Sequence, residues 1–145
     1  MSTYQRVSGN LTIQSVNASD QITISTGALI VTAPLLQYSP APTSKSAAAT
    51  LTAAEVAAGI INTTGTTYTI TLPTGTALDT YFAPSSTDVG FEFCVINTAS
   101  GTITVAIGAS GMTSLGTLTV TTGQSGNFRL RRTAANTYVL YRIGT

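Results

Sequence analysis

Histidine is absent from this chain, tryptophan is absent, and cysteine occurs once. Without histidine there is no Ser-His-Asp or Cys-His machinery, and the commonest metal ligand is missing. The lone Cys94 cannot staple the chain internally or build a thiolate zinc site. In the alternating run Phe91-Glu92-Phe93-Cys94-Val95-Ile96 it reads as a small buried apolar residue, and a single unpaired cysteine fits synthesis in a reducing cytosol. Charge is scarce: 8% of residues are charged, and the net charge is +1. That excludes an acidic tail and argues against bulk attraction to a polyanion. No apolar run approaches the roughly 18 residues of a membrane helix, although mean hydropathy is +0.30. The opening MSTYQRVSGN has no apolar stretch of the signal-peptide kind, so none is expected.

Carboxylates are few as well: Asp20, Glu55, Asp79, Asp88 and Glu92. A glycosidase-type pair would need two of them facing one cleft, and only Asp88 and Glu92 are close in sequence. The simpler reading is that Glu92 balances a C-terminal arginine. The turn Gly108-Ala109-Ser110-Gly111 lies between two strands with no following lysine. It is therefore expected to be a hairpin turn rather than a phosphate loop. No catalytic, cofactor or metal residues are assigned, and an enzyme is not expected.

Threonine makes up roughly one residue in five, far above ordinary usage. With valine, isoleucine and tyrosine it favours strands, and glycine and serine supply turns. Residues 1–42 read as an extended β-rich arm ending in a proline linker at Pro34, Pro40 and Pro42. The arm carries three short β-like triplets, Leu11-Thr12-Ile13, Ile22-Thr23-Ile24 and Leu29-Ile30-Val31. Two or three apolar residues per strand cannot bury a core alone, so Leu11, Ile13, Ile22 and Ile24 are candidate interface residues.

Residues 43–145 read as an all-β head, an antiparallel sandwich or barrel close to a jelly roll. Thr52-Ala53-Ala54-Glu55 fits a helix-capping box, with Gly59 as the stop, and is the only helix expected. Strands are expected at Thr66–Leu72, Val89–Asn97, Thr102–Ile107 and Leu115–Thr121, with 76–88 irregular. Val89–Asn97, apolar on both faces, suits a central strand covered on both sides.

The final stretch, Gly126 to Ile143, reads as a β-hairpin around Thr133-Ala134-Ala135-Asn136. Pairing Arg132 with Thr137 puts Phe128, Leu130, Val139, Tyr141 and Ile143 on one face, which reads as core. The opposite face then carries Arg129, Arg131, Tyr138, Leu140 and Arg142. Arg131 over Tyr138 would make a cation–π contact. This basic face is too narrow for a nucleic-acid surface. Arginine, tyrosine and an otherwise misplaced leucine together point to a protein interface.

The strings LTAAEVAAGIINTTG, ITLPTGTALD, VGFEFCVINTASGTITVAIGASGMTSLGTLTV and FRLRRTAANTYVLYRIG resemble a domain of virion structural proteins of tailed bacteriophages and large DNA viruses. SGNLTIQSVNASDQITISTGALIV is similar to the short strands of trimeric fibre and decoration-protein stems. The likeness falls nearest capsid decoration (cement) proteins, including those of cyanobacterial phages. It implies a β-sandwich head, a homotrimer and attachment to the major capsid protein on the outer capsid surface after synthesis in the host cytoplasm. No catalytic residue, cofactor, nucleic acid or membrane is implied. The alternative is the tip of a short head or tail fibre that binds a host-surface receptor, with Tyr81 and Phe82 as exposed aromatics.

Overall fold

The computed structural model describes residues 39–84 and 86–145. The arm residues Leu11, Ile13, Ile22 and Ile24, and the arm itself up to residue 38, lie outside the described residues. From Thr43 the chain alternates between two sheets. Strands β1 (Thr43–Lys45), β3 (Ile60–Thr63) and β5 (Gly90–Asn97) lie side by side in a six-stranded sheet. Strands β2 (Ala49–Thr50), β4 (Tyr68–Thr71) and β6 (Ile103–Ala106) do the same in a four-stranded sheet. Each of these neighbours is parallel. The chain thus climbs through three rungs, each a strand in one sheet, a turn, and a strand in the other.

Parallel neighbours need a return path, and two helices help provide it. Helix α1 (Ala53–Ala57) has the expected capping box: Glu55 N donates to Thr52 Oγ1, and Thr52 N donates to the Glu55 carboxylate. Helix α2 (Gly75–Phe82) falls in the stretch expected to be irregular. Thr74 caps it, accepting from Ala77 N, and Ala83 ends it in the left-handed region at φ 42°. Gly75, Thr76 and Thr80 are weak helix formers that hid it from a propensity reading. Burial of Leu78 at 0% exposure anchors it.

Threonines recur where the rungs turn from one sheet to the other. Thr64 N donates to Lys45 O, and Thr98 N donates to Thr63 O one rung on. Thr98 Oγ1 also donates to Thr63 O at 2.8 Å. Inside the third rung, buried Asn97 donates to Gly101 O and Val120 O and accepts from Ala99 N. Short hydroxyl and amide side chains satisfy backbone groups where the chain turns between sheets.

Strands β7 (Met112–Leu115), β8 (Thr119–Val120), β9 (Ser125–Ala134) and β10 (Thr137–Gly144) complete the structure. The six-stranded order is β1-β3-β5-β9-β10-β7, and the four-stranded order is β2-β4-β6-β8. β9 is antiparallel to β5 and β10, and β8 to β6, whereas β7 runs parallel to β10. The protein is therefore mostly β with mixed sheets, not the antiparallel arrangement expected. The 108–111 turn joins β6 to β7 in the other sheet, so it closes no hairpin. The single strand expected over Leu115–Thr121 is two, broken at Gly116 with φ 95°. One buried cluster serves both sheets, with Ile61, Phe93, Val95, Phe128 and Leu130 from one and Ile70, Ile103, Val105 and Val120 from the other.

The hairpin forms, but one residue out of the expected register. Ala134 pairs with Thr137, a bulge follows, and Arg132 then pairs with Tyr138, Leu130 with Leu140, and Phe128 with Arg142. A two-residue turn with Asn136 at φ 55° sets this start, and the bulge makes Thr133 the extra residue. A one-residue slip exchanges the faces of a strand. Tyr138 and Leu140, expected on the basic outer face, are core at 2% and 0% exposure. Val139, Tyr141 and Ile143, expected in the core, lie on the outer side, with Ile143 exposed.

Candidate contact surface

The slip divides the expected basic face into two sites. Arg129 and Arg131 remain on the outside of the six-stranded sheet. Pairing of Glu92 with Arg129 and Gly90 with Arg131 across β5 and β9 sets carboxylates beside them. Arg129 Nε donates to Glu92 Oε1 at 3.0 Å, and Arg131 Nη2 donates to Asp88 Oδ1. The Tyr141 hydroxyl and Asp88 raise the Arg131 pKa above its ordinary value. These side chains keep roughly half their surface in solvent: 54% each for Arg129 and Glu92, 42% for Arg131 and 67% for Asp88.

Around this charged ladder the same face mixes exposed apolar residues with polar ones such as Asn127 and Thr113. β7 beside β10 brings Leu115, 61% exposed, level with Tyr141. Ile143 and Ile96 are exposed, and Cys94 and Val139 are half-buried. Cys94 is thus not buried, because it alternates with Phe93 and Val95, whose side chains fill the core. β5 is central, but one of its faces is open among the described residues. Leu115 was not recognisable from sequence, since its place beside Tyr141 depends on a long-range parallel pairing without local signature.

Arg142 is not on this outer face. Its guanidinium lies 4.9 Å over the Phe128 ring and donates to the backbone carbonyls of Thr119, Ser125 and Gly144. Gly126 leaves the room for it, since a Cβ there would sit 2.6 Å from Arg142 Nη1. Burial lowers the Arg142 pKa. The expected Arg131–Tyr138 cation–π contact does not form because the two residues point to opposite faces.

Compared with known family models, curated proteins and solved structures, the chain matches none.

The inner site is centred on Asp79 of α2, a residue given no role in the sequence reading. Arg132 grips its carboxylate with two parallel bonds, Nε to Oδ1 at 3.0 Å and Nη2 to Oδ2 at 2.8 Å. Asn136 N donates to Oδ2 at 2.7 Å, and the Tyr138 hydroxyl donates to Oδ1 at 2.8 Å. The Arg132 and Asp79 side chains are 12% and 15% exposed. Arg132, with the Asn136 amide and the Tyr138 hydroxyl, holds the Asp79 pKa down at about 2. Burial, with the Asp79 carboxylate, pushes the Tyr138 phenol far above its ordinary value. All four donors converge on one ionised carboxylate, which leaves it neither proton nor open lone pair for chemistry. This is a clamp that fastens α2 to the hairpin.

Beside the clamp, Phe82, Pro84, Val89, Gly90, Phe91 and Tyr138 line a shallow apolar cleft of about 220 Å³. Phe82 and Phe91 pack at 4.6 Å between ring centroids, and Tyr81 meets Phe82 edge-on at 5.0 Å.

Proposed function

We propose that this is a virion structural protein, a capsid decoration (cement) protein whose β-sandwich head assembles as a homotrimer on the outer capsid surface and stabilises contacts between capsomers. The observation that supports this most is the outer face of the six-stranded sheet. It combines exposed Leu115, Ile143 and Ile96 with two arginine–carboxylate pairs. Isolated exposed apolar residues are ordinary on any protein, but here three of them share one sheet face with two arginines, a residue type enriched at interfaces. The sequence resemblance supplies the partner: copies of this chain and the major capsid protein. On this reading the protein works by burying surface, not by catalysis.

Two measurements test it. Sedimentation of the purified protein is expected to give a trimer, and a monomer at all concentrations would overturn the reading. Electron microscopy of the particle is expected to place the protein across the capsid faces. A position confined to the tail or a vertex would favour the second reading, a fibre tip binding a host receptor. The aromatic cleft at Phe82 and Phe91, with Tyr81 exposed beside it, is the feature that favours this alternative.

A further inference from the structure

The first rung differs from the two that follow it. In the second rung the inward positions Ile61, Thr63 and Ile70 are wholly buried, and in the third so are Ile103 and Val105. Thr43, Lys45 and Ala49 stand in register with Ile61, Thr63 and Ile70, yet they are only half-buried. The turn between them, Ser46-Ala47-Ala48, is exposed throughout. β1 ends one sheet and β2 ends the other. Both open edges lie at the same end of the winding, where the Lys45–Glu55 ion pair at 2.6 Å closes over the core but no strand pairs with β1 or β2 on that side among the described residues.

The backbone at this end is set to accept another rung. Lys45 O accepts from Thr64 N, and Leu51 N donates to Thr71 O. Successive residues in a strand direct their N–H and C=O groups to opposite edges, so Ser44 and Thr50 present theirs outward. A stacked array left open in this way needs a capping unit, and exposed edges invite a further strand.

The chain contains a segment of the required form. Ile22-Thr23-Ile24-Ser25-Thr26-Gly27-Ala28-Leu29-Ile30-Val31 reads as a strand, a Ser/Thr turn with one glycine, and a second strand. The second rung has the same order, with Ile60–Thr63, the Gly65 turn and Tyr68–Thr71. So has the third, with β5, a turn carrying Gly101, and β6. The spacing fits as well. The returns between rungs take residues 51–59 and 72–89, that is, nine and eighteen residues. Residues 32–42 supply eleven between Val31 and Thr43. The three prolines of this segment, Pro34, Pro40 and Pro42, all fall outside the two strand-like triplets.

We propose that Ile22–Val31 adds to the open edges of β1 and β2 of its own chain as a further rung, with Ile22 and Ile24 against Thr43 and the aliphatic stem of Lys45, whose ammonium Glu55 holds. This does not rest on the virion reading and stands or falls separately from it.

Amide hydrogen exchange on the full chain tests the pairing. The Ser44 and Thr50 amides are expected to be protected at least about tenfold over exposed loop amides such as Thr122. Ile22→Asp with Ile24→Asp is expected to abolish that protection while the Val95 and Leu130 amides stay protected, showing that the head remains folded. Unprotected Ser44 and Thr50 in the unaltered chain would overturn the proposal. A Thr23→Cys/Ser44→Cys pair in a Cys94→Ser background tests which chain supplies the rung. Oxidation is expected to give a cross-linked monomer on a non-reducing gel, whereas a cross-linked dimer or trimer would overturn the assignment to the same chain.

Discussion

Arg131 and Arg132 are neighbours on one strand, and each holds an aspartate, yet the two pairs differ in kind. Arg132 and Asp79 are nearly enclosed, joined by two parallel bonds and reinforced by a backbone amide and a phenol. Arg131 and Asp88 lie on the outer face with 42% and 67% of their side chains in solvent. An enclosed pair is costly to break on one side because the remaining charge has no water to turn to, whereas an exposed pair is worth little either way. The inner pair therefore belongs to folding. The outer pair adds little to the fold, so its groups are free to serve a contact.

The largest effect should come from breaking the inner pair. Asp79→Ala strands the Arg132 guanidinium, the Tyr138 hydroxyl and the Asn136 amide at once. It is expected to cost about 3–5 kcal/mol in urea unfolding, and Tyr138→Phe, which removes one donor, about 1 kcal/mol. A smaller loss for Asp79→Ala than for Arg131→Ala would invert the comparison.

The same carboxylate gives a pH signature. Its pKa falls from 3.8 to about 2 on folding, so the unfolded chain binds the proton more tightly. Its contribution is complete above pH 3.8 and is lost as pH falls through about 2. A shift of this size corresponds to about 2 kcal/mol. Stability measured from pH 5 to pH 1.5 should show this loss in the parent, and the acid limb should flatten in Asp79→Ala. An unchanged limb would mean that the clamp is looser than its geometry.

A third test concerns the seat of the hairpin turn. The Asn136 carbonyl rests between Gly75 and Gly111, where added Cβ atoms would come within 1.9 and 2.0 Å of its oxygen. Gly75 begins α2, so the notch aligns Asp79 with the hairpin. Gly75→Ala forces backbone apart and is expected to cost about 1–3 kcal/mol, whereas Gly123→Ala meets no atom within 4 Å and loses only the left-handed φ preference. Equal losses would show that the notch does not hold the clamp.

The division between inner and outer sites was only partly legible in the sequence. The α1 capping box and the C-terminal hairpin follow from local spacing, the Glu92–arginine pairing follows from the scarcity of opposite charges, and all three occur. The hairpin register does not, because alternation fits either of two pairings. The choice is made by Asn136 at positive φ and by a bulge at Thr133, neither of which leaves a periodic trace. The clamp was hidden for a related reason: Asp79 and Arg132 are 53 positions apart, and α2 lacks the propensity that would have drawn attention to it. The parallel rungs were missed because β1 and β2 have three and two residues, too short for alternation to register.

The smallest expected effect on stability lies on the outer face. Arg129→Ala, Glu92→Ala and their combination should differ by a coupling of about 0.2–1 kcal/mol, shrinking as salt is raised. Leu115→Asp and Ile143→Asp should likewise leave unfolding nearly unchanged, since neither side chain is enclosed. Under the proposed assembly, self-association should respond differently, because a carboxylate placed in a contact loses its water without gaining a partner. The combined measurement is therefore sharper than either alone. If these substitutions dissociate the protein while the isolated chain unfolds at the parent's urea midpoint, the outer face is a contact surface separate from the fold. If they change neither, the face is ordinary solvated sheet and makes no contact.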